Sequence, residues 1–161
     1  MLDVLVRSAD FRDLQGLLRI EEECFGAERF STETVRSFME RDDTFVLVAL
    51  EENEIVGSAM CMMSEERGEG RVASVAVLPR FRRKGIGVRL LEACEIGFAE
   101  RGLTVSELEV DVGNEAAIAL YMSKGYEVRG LIEGFYGAGR DAYAMARPLS
   151  HEGRGVRIKV S

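Results

Sequence analysis

Apolar and polar positions along the chain switch repeatedly between a period of two and a helical period, and the switches predict its elements. Leu2, Val4 and Val6 alternate as in a half-buried strand. Asp10 then caps a helix that sets Phe11, Leu14, Leu17, Leu18 and Ile20 on one face. The Gly-containing, charged stretch from Phe25 to Ser31 breaks that pattern, and Ser31 or Thr32 with Val35, Phe38 and Met39 predicts a short second helix. Thr44 to Leu50 and Ile55 to Met63 are β-rich runs joined by the turn Glu51-Glu52-Asn53-Glu54, and a linker from Glu65 to Gly70 leads to a third, Val72 to Leu78. Ile86, Leu90, Leu91, Cys94 and Phe98 recur at helical spacing until Gly102. Val105 to Val112 reads as a strand, Asn114 to Lys124 as a helix closed by Gly125, and Tyr126 to Ile132 and Ala142 to Ala146 as a last pair of strands.

This order predicts an α/β fold with a mixed sheet, an antiparallel meander and one parallel, right-handed strand-helix-strand crossover from Val72 to Val112. One domain over residues 1–149 and a polar tail over 150–161 are expected from the 161 residues. The longest apolar runs are too short to span a bilayer, and Asp3 stands where a secretory leader needs basic residues, so the cytoplasm is the expected location. Cys24, Cys61 and Cys94 are spaced for neither a disulfide framework nor zinc and read as small hydrophobes. His151 is the sole histidine, which disfavours His-based triads and multi-histidine metal sites, so no metal is expected.

A formal net charge of -7 argues against broad nucleic-acid binding and is compatible with a cationic substrate. Against it, Arg80, Arg82, Arg83, Lys84 and Arg89 form a basic run without an acid, suited to a polyanion. Arg82-Arg83-Lys84-Gly85-Ile86-Gly87 lies between a strand and a helix, where glycines allow close backbone approach and a helix N-terminus attracts phosphate. The alternative is a Gly-rich turn with a solvated basic edge. Neither the P-loop pattern nor the Rossmann fingerprint fits, and Gly137-Ala138-Gly139-Arg140-Asp141-Ala142 precedes a strand instead of a helix.

Along Glu107-Leu108-Glu109-Val110-Asp111-Val112, alternation sets all three carboxylates on one face. That face is either simply solvated or a place where like charges raise a carboxyl pKa for base catalysis. Tyr121 follows Ile118 and Ala117 at helical spacing, as a core aromatic or a protonated acid, and Asn114 suits a helix N-cap.

The run Val75-Ala76-Val77-Leu78-Pro79-Arg80-Phe81-Arg82-Arg83-Lys84-Gly85-Ile86-Gly87 resembles the acetyl-CoA signature of the GCN5-related N-acetyltransferases (GNAT family). Leu108-Glu109-Val110, Asn114 to Tyr121, Gly125-Tyr126 and Asp141 to Met145 are similar to its branch of RimI-like and archaeal protein N-terminal acetyltransferases. The resemblance implies acetyl-CoA as cosubstrate. It implies that backbone groups of Val75, Ala76 and Val77 bind the pantetheine arm, that amides of Arg82, Arg83, Lys84, Gly85, Ile86, Gly87 and Val88 hold the pyrophosphate, and that Asn114 contacts pantetheine. It further implies Glu109 as general base and Tyr121 as general acid toward the departing thiolate, by direct transfer in a ternary complex. Phe25 and Phe30 in one loop and Tyr136 in another would flank the peptide channel, although loop aromatics also serve as anchors.

The function expected from the resemblance is acetyl transfer to the α-amino group of protein or peptide N-termini, ribosomal or nascent proteins among them, with no nucleic-acid or membrane partner. A small cationic amine or a lysine side chain as acceptor, and a non-catalytic CoA-binding module, are the alternatives. Three departures bear on the acceptor: Asp111 stands where many relatives have arginine, Arg140 where an acid is common, and Phe135 in place of one of a common tyrosine pair.

Overall fold

The computed structural model describes residues 3–149, so Leu2 of the expected first strand and the tail with His151 lie outside the described residues. The elements are β1 (Val4–Ser8), α1 (Leu14–Phe25), α2 (Thr32–Glu40), β2 (Thr44–Glu51), β3 (Glu54–Ser64), β4 (Glu69–Val77), α3 (Ile86–Glu100), β5 (Val105–Asp111), α4 (Glu115–Ser123), β6 (Glu127–Ile132) and β7 (Ala142–Pro148). Their order is the expected one. Seven strands form one sheet in the order β1-β2-β3-β4-β5-β7-β6. Within it β4 and β5 are parallel, and the other neighbours are antiparallel.

Alternation along β2 shows how the sheet is covered on both faces. Leu47 and Ala49 join Leu90, Cys94 and Phe98 of α3 in one buried cluster, while Val46 and Val48 join Leu17 of α1 and Val35 and Phe38 of α2 in another. The β2–β3 turn has Glu52 and Asn53 in the left-handed region, the geometry of a two-residue hairpin. Among the described residues no helix is long and apolar enough to cross a membrane.

Three expectations shift. The first helix begins at Leu14, after a 3-10 turn over Phe11–Asp13. Asp10 accepts from the Arg12 N–H there, Asp13 accepts from the Asp10 N–H, and Phe11 is 74% exposed instead of facing the core. β4 begins at Glu69 within the expected linker, because Glu69 and Gly70 pair with Val105 and Ser106. A Cβ at Gly70 would stand 2.3 Å from Phe98 Cγ, so only glycine lets the strand lie flat on that ring. Tyr126 precedes β6 and is buried, its hydroxyl joined to Ser106 and Glu95, while all six β6 residues are exposed.

Candidate active site

The last pair in the β4–β5 ladder is Val72↔Leu108. Beyond it β5 continues against β7 through Asp111, and β4 continues against β3 through Val77, so the two strands part. Ala73 is an extra residue at this point: Val72 pairs with Cys61 and Ser74 with Met60, a bulge that bends β4 away from β5.

The Leu78 N–H donates to Val56 O, which by antiparallel alternation commits Ala76 to β3 and turns the backbone groups of Val75 and Val77 toward the opening. Of the three residues expected to offer backbone to a ligand, Val75 and Val77 face the opening and Ala76 faces β3. Val77 O accepts from Arg82 Nε at 2.8 Å and from the Cys24 thiol at 3.4 Å.

Where β4 ends, Arg83 and Gly85 take left-handed conformations and deliver the chain into α3. The first amide to bond back within the helix is that of Arg89, to Gly85 O, so those of Ile86, Gly87 and Val88 have no intrahelical partner. Gly85, at the N-cap, has no side chain to compete for them. A Cβ at Gly87 would meet only Val77 Cγ2, at 3.9 Å, so packing within the protein does not demand glycine there. Glycine there leaves the space beside the unpaired amides open toward Val77, an arrangement that could hold a phosphate.

The basic run divides. Arg80 is held by Glu54 at 2.8 Å, and Arg89 by the Val4 carbonyl. Arg83 and Lys84 have no acidic partner among the described residues and are exposed, whereas the Arg82 guanidinium turns back onto the Val77 carbonyl.

On β5, Ser106, Leu108 and Val110 turn inward, and Glu107, Glu109 and Asp111 share the other face. The Glu109 carboxylate is only 15% exposed, and both Arg71 Nε (2.9 Å) and Arg71 Nη2 (2.7 Å) bond its Oε1, leaving Oε2 without a partner among the described residues. Like-charge crowding shows on Glu107, whose carboxyl is pushed up by burial and by Glu69; Glu109 faces a guanidinium instead. Arg71 escapes a reading of sequence pattern because only the register Arg71↔Glu107 places it beside this face.

Tyr121 of α4 lies edge-on to Tyr126, with ring centroids 6.0 Å apart, and its hydroxyl has no hydrogen-bond partner among the described residues. Burial pushes its phenol up, so it is protonated at neutral pH. Tyr136, in the β6–β7 loop, has its phenol pushed up by burial and by the charges of Glu109 and Asp111, and its ring lies 5.4 Å from the Arg140 guanidinium carbon. Asn114 caps α4 by accepting the Ala117 N–H at 3.2 Å, which leaves its amide NH2 to donate elsewhere.

The remaining aromatics differ. Phe30 stacks on Phe38 at 5.8 Å, as a loop anchor would, and its N–H donates to Glu21 at 2.7 Å. Phe25 stays partly exposed at the end of α1. The buried Glu21 carboxyl gave no signal in the pattern, lying next to Ile20 in a run of glutamates.

A profile of the Acetyltransferase (GNAT) family matches residues 14–126. Over 83 residues the chain is 45% identical to an N-alpha-acetyltransferase of Saccharolobus solfataricus, which covers 50% of this chain and 49% of that protein. The chain thus spans about half the length of that relative. Over 145 residues it is 30% identical to an uncharacterized N-acetyltransferase of Methanocaldococcus jannaschii, covering 89% of this chain and 91% of the other. The crystal structure of the ribosomal-protein-S18-alanine N-acetyltransferase from Escherichia coli superposes with a TM-score of 0.83 at 27% identity, over 92% of this chain and 95% of that one. With strands that part beside a glycine-led helix and a family profile matched over most of its length, the chain belongs to the acetyltransferase (GNAT) family.

Proposed function

We propose that this chain, with residues 1–149 as one catalytic domain, transfers an acetyl group from acetyl-CoA to the α-amino group of protein or peptide N-termini by direct attack in a ternary complex. The observation that supports the reading is the parting of β4 and β5 after Val72↔Leu108, which leaves Glu109 on the strand face just past the split and turns the backbone of Val75 and Val77 toward the opening. The α-amine is supported by the names of the similar proteins, an N-alpha-acetyltransferase and a ribosomal-protein-alanine N-acetyltransferase. Ribosomal or nascent proteins in the cytoplasm are the acceptors this reading implies.

Acetyl-CoA supplies an acyl group activated as a thioester. Val75 and Val77 would hold the pantetheine arm as a neighbouring strand would, with the Asn114 amide donating from α4. The loop and first turn from Arg82 to Val88 would hold the pyrophosphate, with Arg83 and Lys84 adding charge. Oε2 of Glu109 accepts the proton that the acceptor ammonium must lose, while Arg71 fixes the carboxylate through Oε1. An α-amino group titrates near pH ~8, so the base faces a far smaller task than with a lysine near ~10.4. Tyr121 carries the proton for the departing sulfur, and Tyr136 flanks the acceptor.

The test is mass spectrometry of short peptides incubated with acetyl-CoA, alongside thiol release. Modification on the α-amine is expected, with Glu109→Gln and Tyr121→Phe each lowering kcat about 10²- to 10⁴-fold while the KM for acetyl-CoA moves little. Unchanged turnover in both variants, or acetylation confined to polyamines or lysine side chains, would overturn the reading.

A further inference from the structure

Two of the three departures from the family pattern, Asp111 and Arg140, meet in space. The Arg140 guanidinium spans the mouth of the site: Nη1 lies 2.6 Å from Glu28 of the α1–α2 loop, and Nη2 lies 3.5 Å from Asp111 at the end of β5. Its Cζ also sits 5.4 Å from the centre of the Tyr136 ring. The two loops joined by this contact are those flanking the acceptor channel on the reading above, on which this inference rests.

Arg140 is well held. Tyr136 N–H donates to its carbonyl at 3.1 Å, its own N–H donates to Gly137 O at 3.0 Å, and Asp141 accepts from Gly134 N–H at 2.9 Å, so the loop pins it. Asp111 is also fixed, accepting the Gly113 N–H at 2.8 Å. Glu28 is the exchangeable member: its side chain is 61% exposed and, among the described residues, bonds to Arg140 alone. An exposed ion pair of this kind is weak, so another carboxylate can take its place at little cost.

Two residues along one strand face cover about 7 Å, so Asp111 and the guanidinium lie about that far past Glu109. An extended acceptor advances roughly 3.3–3.6 Å per residue. An acceptor whose α-amine meets Glu109 and whose chain runs toward Asp111 brings the side chain of its first or second residue within reach of Arg140. We propose that Arg140 is a specificity-determining residue that pairs with an acidic side chain at the first or second position of the acceptor, and that Glu28 occupies that place until the acceptor arrives.

The experiment measures kcat/KM with acetyl-CoA for matched peptides that differ only in carrying Asp or Glu, Ser or Ala, or Lys at the first two positions. The wild-type protein is expected to favour the acidic peptides over the lysine ones by roughly ten-fold, mostly through KM, and the preference should shrink as salt rises. Arg140→Gln should bring the acidic-to-neutral ratio toward one, Arg140→Glu should tilt it toward lysine, and Arg140→Lys should retain part of it. Glu28→Gln should raise kcat/KM for acidic peptides by removing their competitor. A wild-type protein indifferent to acceptor charge, or an Arg140→Gln variant whose loss is equal for every peptide, would overturn this inference and leave N-terminal acetylation standing. Failure to acetylate any peptide would overturn both.

Discussion

Replacing Tyr126 with phenylalanine removes one oxygen from the centre of a buried polar chain. Tyr126 keeps its proton because burial pushes the phenol up, and it donates to Glu95 Oε2 at 2.7 Å. Its hydroxyl must then accept from Ser106, 2.8 Å away, while Arg147 holds the other Glu95 oxygen at 3.2 Å. Ser106 and Tyr126 are essentially inaccessible to water. Tyr126→Phe forfeits a bond to a charged acceptor and leaves the serine hydroxyl unpartnered, a combined loss of about 2–4 kcal/mol. That is a large share of a typical total stability of about 5–15 kcal/mol. For a chain of this length it corresponds to a fall in Tm of about 5–15 °C, read by calorimetry or circular dichroism. Adding Ser106→Ala removes the stranded hydroxyl, so the double variant should be more stable than the sum of the single losses predicts, by about 1 kcal/mol or more. The ring survives in phenylalanine, so the edge contact with Tyr121 remains and the damage should appear in melting ahead of turnover. A single variant that melts with the wild type, or strictly additive losses in the cycle, would refute the reasoning.

Further predictions concern other parts of the molecule. Burial raises the Glu21 carboxyl above its ordinary value, so the folded state binds its proton more tightly than the unfolded chain. The associated stability is complete below the unfolded value of about 4.5 and is lost as pH rises through the folded one. Glu21→Gln should therefore flatten that decline in melts across pH and raise Tm at neutral pH, since the amide oxygen still accepts the Phe30 N–H. Gly70→Ala would drive a methyl to within 2.3–2.6 Å of three Phe98 ring atoms, which should lower the urea midpoint by an amount equivalent to about 1–3 kcal/mol. Arg83→Ala with Lys84→Ala should raise the KM for acetyl-CoA roughly three- to ten-fold at low salt and far less in high salt. Arg80→Ala should barely change it, because that charge is committed to Glu54.

The elements were legible because each buries one face. Val46 through Ala49 alternate toward two different helical layers, and Leu90, Cys94 and Phe98 recur at the period of a single helix surface. The glycine turn into α3 was legible for the same local reason: Gly85 sits between a strand and a helix, and Gly87 lies in the first turn of that helix. What depends on distant pairing was not. The insertion of β7 between β5 and β6 leaves no mark on the alternation of either strand. The bulge at Ala73 looks like uninterrupted strand, and the start of β4 at Glu69 is dictated by a partner some 36 residues away in sequence. At the site, the glutamate face of β5 could be read, but not that Arg71 would answer Glu109. Asp111 and Arg140 each look like an isolated oddity in the chain, and only the fold makes them one contact.

The parting of β4 from β5 has a consequence for how the protein meets other extended chains. Edge strands normally lie at a sheet's perimeter, where charge and irregularity discourage unwanted pairing, yet here the backbone of Val75 and Val77 forms a second edge in the middle of the sheet. Any extended peptide with an unspent hydrogen-bonding side can compete for it. The Arg82 guanidinium and the Cys24 thiol, both resting on the Val77 carbonyl, act as sentries against strand invasion. A second copy of the chain meets the same unspent groups there, so any self-association through this edge should fall on dilution.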